Sequence, residues 1–247
     1  MESPSRLREI DLFRGIAILM MVVFHTVFDI SFFGIAPLNV TTGFWHYFAY
    51  ATASLFLLIV GVSLVVSYER ARKKKSGLSL ALKFIGRGAF IFALGLLVTL
   101  GTWLYLGEGF VIFGILHLIG LSILLSLLFF RFRMWNIVLG FVCITIGLLV
   151  IGNPGPVYLL PLGIHPSGFT SVDYTPLFPW FGVVLIGMGI GEFLYPAGDR
   201  RFIVPHIPEF IVTPLSFPGR HSLLIYLVHQ PIIILLLALV TGIPLRP

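Results

Sequence analysis

Four ionisable residues, Asp11, Arg14, His25 and Asp29, lie inside one hydrophobic run from Asp11 to Phe33. A charge at bilayer depth is costly, and an ionisable residue kept there is by default a functional-site hypothesis. At about 100° per residue, positions 11 and 29 are five full turns apart and point the same way. Arg14 and His25 differ by about 20° from three turns, and Asp29 follows His25 by four residues, so all four share one helical stripe. The chemistry offered is acid–base chemistry. A carboxylate beside an imidazole fixes its tautomer, stabilises the imidazolium and leaves the second nitrogen as a general base. The spacing of His25 and Asp29 permits that contact; it equally permits Asp29 to line the outer mouth of a cavity. Arg14 is open to two roles, an ion pair with Asp11 at the helix end or a bidentate grip on a phosphate.

The element that carries this stripe belongs in lipid. Mean hydropathy is +1.05, 58% of residues are hydrophobic and 11% are charged, against roughly 25% charged in a soluble domain. Seven runs are long enough to span a bilayer: 11–33, 44–68, 84–106, 110–130, 134–152, 176–196 and 221–243. The expected fold class is therefore an all-α polytopic membrane protein, one domain over residues 1–247. The first run is too long and too polar for a secretory h-region and lacks a small-residue cleavage site, so it is read as mature structure. Cys143 is the single cysteine; it excludes an intrachain disulfide and reads as a small buried hydrophobe.

Assigning the connections alternately to two sides places Arg6, Arg8, Arg14, Arg70, Arg72, Lys73, Lys74, Lys75, Lys83, Arg87, Arg131, Arg133, Arg200, Arg201 and Arg220 on one side. Only Arg246 falls on the other. That asymmetry predicts a cytoplasmic amino terminus and an external carboxyl terminus. It also accounts for the net charge of +6 without nucleic acid as a partner.

Three connections are long. Arg70–Lys83 is basic and suited to fixing topology and touching anionic lipid. Gly152–Thr175 is an outer loop with His165 and Asp173, of a length that often serves as a lid or an acceptor-binding rim. Ala197–Arg220 carries Arg200, Arg201, Pro205, Pro208, Pro214 and Pro218. In the sixth run, Gly187-x-x-x-Gly191 reads as a close helix approach. Asn39-Val40-Thr41 is a glycosylation sequon, relevant only in a eukaryotic source.

Two further histidines lie within runs. His25 stands about 21 Å from the inner start of the first run, and His117 about 10 Å from the outer start of the fourth. In a core of about 30 Å these depths match, and the two rings are expected to face each other across a cavity. His229 is about 12 Å into the seventh run, on a face with Ser222 and Tyr226.

The segment Arg8-Glu-Ile-Asp11-Leu-Phe-Arg14-Gly15-Ile-Ala17, followed by His25, resembles the opening helix of the heparan-α-glucosaminide N-acetyltransferase-like family, within a wider group of transmembrane acyltransferases. The resemblance continues in Gly114-Ile-Leu-His117-Leu-Ile-Gly120, in Asp173-Tyr174-x-Pro176-Leu-x-Pro179-Trp180-Phe181-Gly182, and in Gly219-Arg220-His221-Ser222-Leu-x-x-Tyr226-Leu-x-His229-Gln230-Pro231. It implies that an acyl group is taken from acyl-CoA at the cytoplasmic face and delivered to an acceptor on the other side. Arg14 and His25 match the positions that carry function in the wider group. The chain is shorter than the animal lysosomal enzyme and has no counterpart of its large luminal domain, which points to a prokaryotic plasma-membrane relative acting on a cell-surface glycan or lipid.

The sites expected are His25, Asp29 and His117 for catalysis, Arg14, Arg220, His229 and Tyr226 for acyl-CoA, and Asp173 and Trp180 for the acceptor. His25 serves as general base or acyl carrier and Asp29 orients it. No metal and no tightly bound cofactor are expected; acyl-CoA is a co-substrate, and homodimerisation is compatible with the sequence. Two other classes remain open. A small proton-coupled transporter or channel would use the histidines and Asp29 as a relay, although no inverted repeat is visible. A haem-binding electron carrier would use His25 and His117 as axial ligands. A retinal protein is excluded because the seventh run has no lysine.

Overall fold

The structure, a computed structural model, describes residues 7–204 and 208–242. Arg6, Pro205, Arg246 and the last residue of the seventh expected run lie outside the described residues. Helices make up 77% of the described residues, and no strand occurs among them; lipid demands this, because a helix satisfies its own backbone. The helices are α1 (Arg8–Phe32), α2 (Gly43–Arg72), α3 (Gly77–Leu106), α4 (Ile115–Phe129), α5 (Asn136–Val150), α6 (Leu177–Leu194), α7 (Glu209–Arg220) and α8 (Ser222–Thr241).

Among the described residues, six helical runs are long and apolar enough to cross a membrane. Five are α1, α2, α3, α6 and α8, and the other runs from Ile115 to Val150. That run contains α4 and α5, divided by a 3₁₀ turn over Phe130–Trp135 in which Arg133 has φ 50°. The sequence-based count of seven divides the chain at the same place.

Two expected loops are shorter than the sequence implied. The basic segment 70–83 is mostly helical, since α2 continues to Arg72 and α3 begins at Gly77. The proline-bearing segment 197–220 closes in a helix, α7, with Pro214 and Pro218 inside it. A proline there removes a backbone bond, yet α7 persists because it packs against α1.

The chain divides into two compact units. One holds the described parts of Met1–Phe56 and Val204–Pro247, the other Leu57–Ile203, with the division inside α2. In the first unit α1 packs on α7 and α8. The α1–α7 contact is backbone on backbone. A Cβ on Gly15 would lie 1.7 Å from the Leu215 carbonyl oxygen, and one on Gly219 would lie 1.8 Å from that of Asp11.

In the second unit α3 packs on α4, and α6 packs on both α4 and α5. Glycines again set the distances. A Cβ on Gly187 would fall 2.3 Å from the Leu58 carbonyl oxygen, and one on Gly191 3.0 Å from Val62 Cα. The small-residue stripe of α6 is thus a helix-packing face. Gly140 of α5 and Gly182 of α6 meet in the same way.

Candidate active site

The first unit brings together most of the polar residues of α1. At the start of the helix, Asp11 is buried, where its charge complements the helix N-terminus. Arg14 Nη1 donates to Asp11 Oδ1 at 3.3 Å and to the Gly219 carbonyl at 3.4 Å. Arg220 Nε lies 3.9 Å from Asp11 Oδ2. Gly15 and Gly219, the neighbours of the two arginines, make the approach of α1 and α7 that lets both guanidiniums flank one carboxylate. Arg14 thus makes the helix-end ion pair with Asp11, and a second guanidinium, that of Arg220, approaches the same carboxylate.

About three turns further along α1 is His25. Its Nδ1 donates to the Met21 carbonyl at 2.9 Å, so in the neutral ring the lone pair is on Nε2. The expected role of Asp29 in fixing this tautomer is corrected here. Helical side chains lean toward the helix N-terminus, which carries the His25 ring down onto Met21 and away from Asp29. Asp29 instead accepts a bond from Gln230 Nε2 of α8 at 2.7 Å on Oδ1. Its Oδ2 is buried without a partner.

His229 of α8 is the residue that meets His25. The two rings are edge to face, with centroids 4.8 Å apart and planes at 82°. His229 Nδ1 donates to the Tyr226 carbonyl at 2.6 Å, and its Nε2 is buried without a hydrogen-bond partner. Tyr226 contributes that carbonyl, and its ring lies 5.5 Å from the imidazole. His229 and Tyr226, expected from the sequence to contact acyl-CoA, lie here in one ring cluster with His25. Gln230 is a polar residue here beyond the expected sites. Its signal is an amide beside His229 in an otherwise apolar stretch.

The second unit holds the other three expected residues. His117 is 2% exposed, between Phe92 and Phe113 with ring centroids 5.1 Å and 5.6 Å away. Gly95 makes room for it, since a Cβ there would touch the ring at 3.0 Å. Its Nδ1 accepts the Gly114 backbone N–H at 3.2 Å. That bond uses the Nδ1 lone pair and leaves the proton on Nε2. In this arrangement His117 is a neutral ring whose Nδ1 lone pair is occupied and whose Nε2 is buried with no hydrogen-bond partner.

Asp173 is tied into the start of α4. Oδ2 accepts the Ile115 N–H at 3.1 Å and Oδ1 accepts the Thr175 hydroxyl at 2.7 Å. The carboxylate caps the N-terminus of α4, with one hydrogen bond to each of its oxygens. A Cβ on Gly114 would collide with it at 2.4 Å, which explains the glycine. Next to it, the Tyr174 hydroxyl donates to the Leu160 carbonyl at 2.7 Å; burial pushes this phenol up to about 12. Trp180 lies half-buried on the first turn of α6.

No group of three or more His, Cys, Asp or Glu side chains that could hold a metal occurs among the described residues. No curated protein and no solved structure matches the chain. The family model for the catalytic domain of heparan-alpha-glucosaminide N-acetyltransferase matches residues 6–231, a stretch that takes in α1 with Arg14 and His25 and reaches into α8 past His229. On that match over nearly its whole length, the chain belongs to the heparan-alpha-glucosaminide N-acetyltransferase catalytic family, a family of membrane acetyltransferase-like proteins.

Proposed function

We propose that this protein is an integral-membrane acyltransferase that moves an acetyl or other acyl group from acyl-CoA to a hydroxyl or amine of a cell-surface glycan or lipid. The observation that carries the reading is the state of His25. With Nδ1–H held by Met21, Nε2 is the basic nitrogen, in a helix that also bears Arg14. As the acceptor N–H or O–H attacks the thioester carbonyl, Nε2 takes its proton. The new C–N or C–O bond forms, the C–S bond breaks, and the imidazolium returns the proton to the leaving thiolate. His229, edge-on to His25, keeps that ring in place. The Arg14–Asp11–Arg220 cluster receives the CoA phosphates, with Asp11 setting the directions of the guanidiniums.

The distribution of basic residues supports a cytoplasmic amino terminus. Donor would then enter at the Arg14 end of α1 and acceptor from the far side. The chain would reside in a prokaryotic plasma membrane with acyl-CoA as co-substrate and no tightly bound cofactor.

The test is label transfer in proteoliposomes. Radiolabelled acetyl-CoA supplied on the side of the Arg14 cluster should label a hydroxyl- or amine-bearing acceptor supplied on the other side. Absence of label from every donor and acceptor class, together with donor-independent solute flux, would replace the reading with a transporter.

A further inference from the structure

Basic residues gather where α2 ends and α3 begins, and the second unit pairs only some of them. Arg72 Nη2 lies 3.0 Å from Glu69 Oε2, Lys73 Nζ 3.0 Å from Asp199 Oδ2, and Arg133 Nε 2.7 Å from Glu192 Oε1. Arg70 Nε donates to the Gly198 carbonyl at 2.9 Å. These contacts engage Glu69, Glu192 and Asp199. Among the described residues, Lys74, Lys75, Lys83 and Arg87 have no ion pair.

Lys83 and Arg87 differ from the loop lysines. Both are on α3, one turn apart, and exposed. Lys83 is within electrostatic reach of Arg87 and Lys75. Like charges at this spacing repel and weaken the helix, unless an anion sits between them. Gly86 lies beside them on the helix, and a Cβ there would meet nothing within 4 Å, so the surface next to the two cations is open.

Depth identifies the anion. α3 has 30 residues, a length of about 45 Å, against a hydrocarbon core of about 30 Å. Counting about 20 residues back from Leu106, beside Trp103 and Tyr105 at the other interface, ends at Arg87. Arg87 and Lys83 therefore lie in a headgroup layer. Only 6% of the most apolar stretch of α3 is buried, and Phe90 and Leu97, on the side of Arg87, are exposed to receive acyl chains.

We infer that Lys83 and Arg87 form a binding site on α3 for the phosphate of an anionic glycerophospholipid, seated beside Gly86 with its acyl chains along Phe90 and Leu97. The site is independent of the acyl-transfer reading and holds whatever the acceptor is.

The test uses the full chain in nanodiscs of equal phosphatidylglycerol and phosphatidylcholine, with co-purifying lipid counted by native mass spectrometry. Wild type should retain phosphatidylglycerol several-fold over phosphatidylcholine. Lys83→Gln with Arg87→Gln should lose most of that preference, whereas Lys83→Arg with Arg87→Lys and Lys74→Gln with Lys75→Gln should keep it. If the double glutamine variant does not fold, Arg87→Gln alone should lose at least half. No preference in wild type, an unchanged preference in the glutamine variants, or an equal loss in Lys74→Gln with Lys75→Gln would overturn the site, the last by showing diffuse surface charge.

Discussion

His229 stands edge-on to His25, with ring centroids 4.8 Å apart and planes at 82°, and each ring ties its Nδ1 to a carbonyl of its own helix. Neither ring can flip without breaking that bond. The result is a pair of imidazoles, one from α1 and one from α8, whose basic nitrogens are both Nε2. Replacing His229 should therefore act on the chemical step. In His229→Ala, kcat should fall about 10²-fold, a typical contribution for a group assisting proton transfer. KM for acyl-CoA should stay within about twofold. A steady-state split in which KM rises and kcat is retained would return His229 to the acyl-CoA site.

The backbone contact of α1 with α7 should be intolerant of a single methyl group. Gly15→Ala and Gly219→Ala place a Cβ within 2 Å of a carbonyl oxygen, and forcing the helices apart costs about 1–3 kcal/mol. Gly86→Ala is the control: nothing lies near its Cβ, and replacing an exposed helical glycine gains up to about 1 kcal/mol. Thermal unfolding in detergent should show the first two several degrees below wild type and the third at or above it.

Asp173 should behave as a helix cap. Asp173→Ala removes the acceptor for the Ile115 N–H and should cost about 1 kcal/mol of stability, with KM for the acceptor unchanged. Asp173→Asn keeps a cap and should cost less. A rise of KM without loss of stability would restore Asp173 to acceptor binding.

Tyr174 should make the loop before α6 sensitive to alkali. Its phenol is pushed up to about 12 against about 10 in an unfolded chain, so the native state holds the proton longer. Its contribution is fully present below about pH 10 and is lost as pH rises through 12. Tyr174→Phe removes the bond to Leu160, and its stability should fall less steeply over that range than that of wild type.

Much of this is legible in the sequence, and the limits have physical causes. Span positions follow from apolar length alone, so α1, α2, α6 and α8 fall where hydropathy places them. The stripe on α1 is a property of one helix, and its periodicity gives it. What hydropathy misses is backbone-level contact. Pro214 and Pro218 disguise α7, whose stability comes from Gly15 of a distant segment. The tautomers of His25 and His117 rest on main-chain groups, the Met21 carbonyl and the Gly114 N–H, which no side-chain pattern encodes. Equal depth made His117 a partner for His25, although Gly95, Phe92 and Phe113 enclose its ring within the second unit. Asp29 and Gln230 come from α1 and α8, and only tertiary packing joins them.

The central claim is that His25 Nε2 is the base of acyl transfer, and the most direct test is the initial rate of label transfer from radiolabelled acetyl-CoA by purified His25→Ala beside wild type. The variant should retain the wild-type fold and bind acyl-CoA, with kcat lowered about 10²–10⁴-fold, the range for loss of a general base. Transfer at the wild-type rate by His25→Ala would contradict the account.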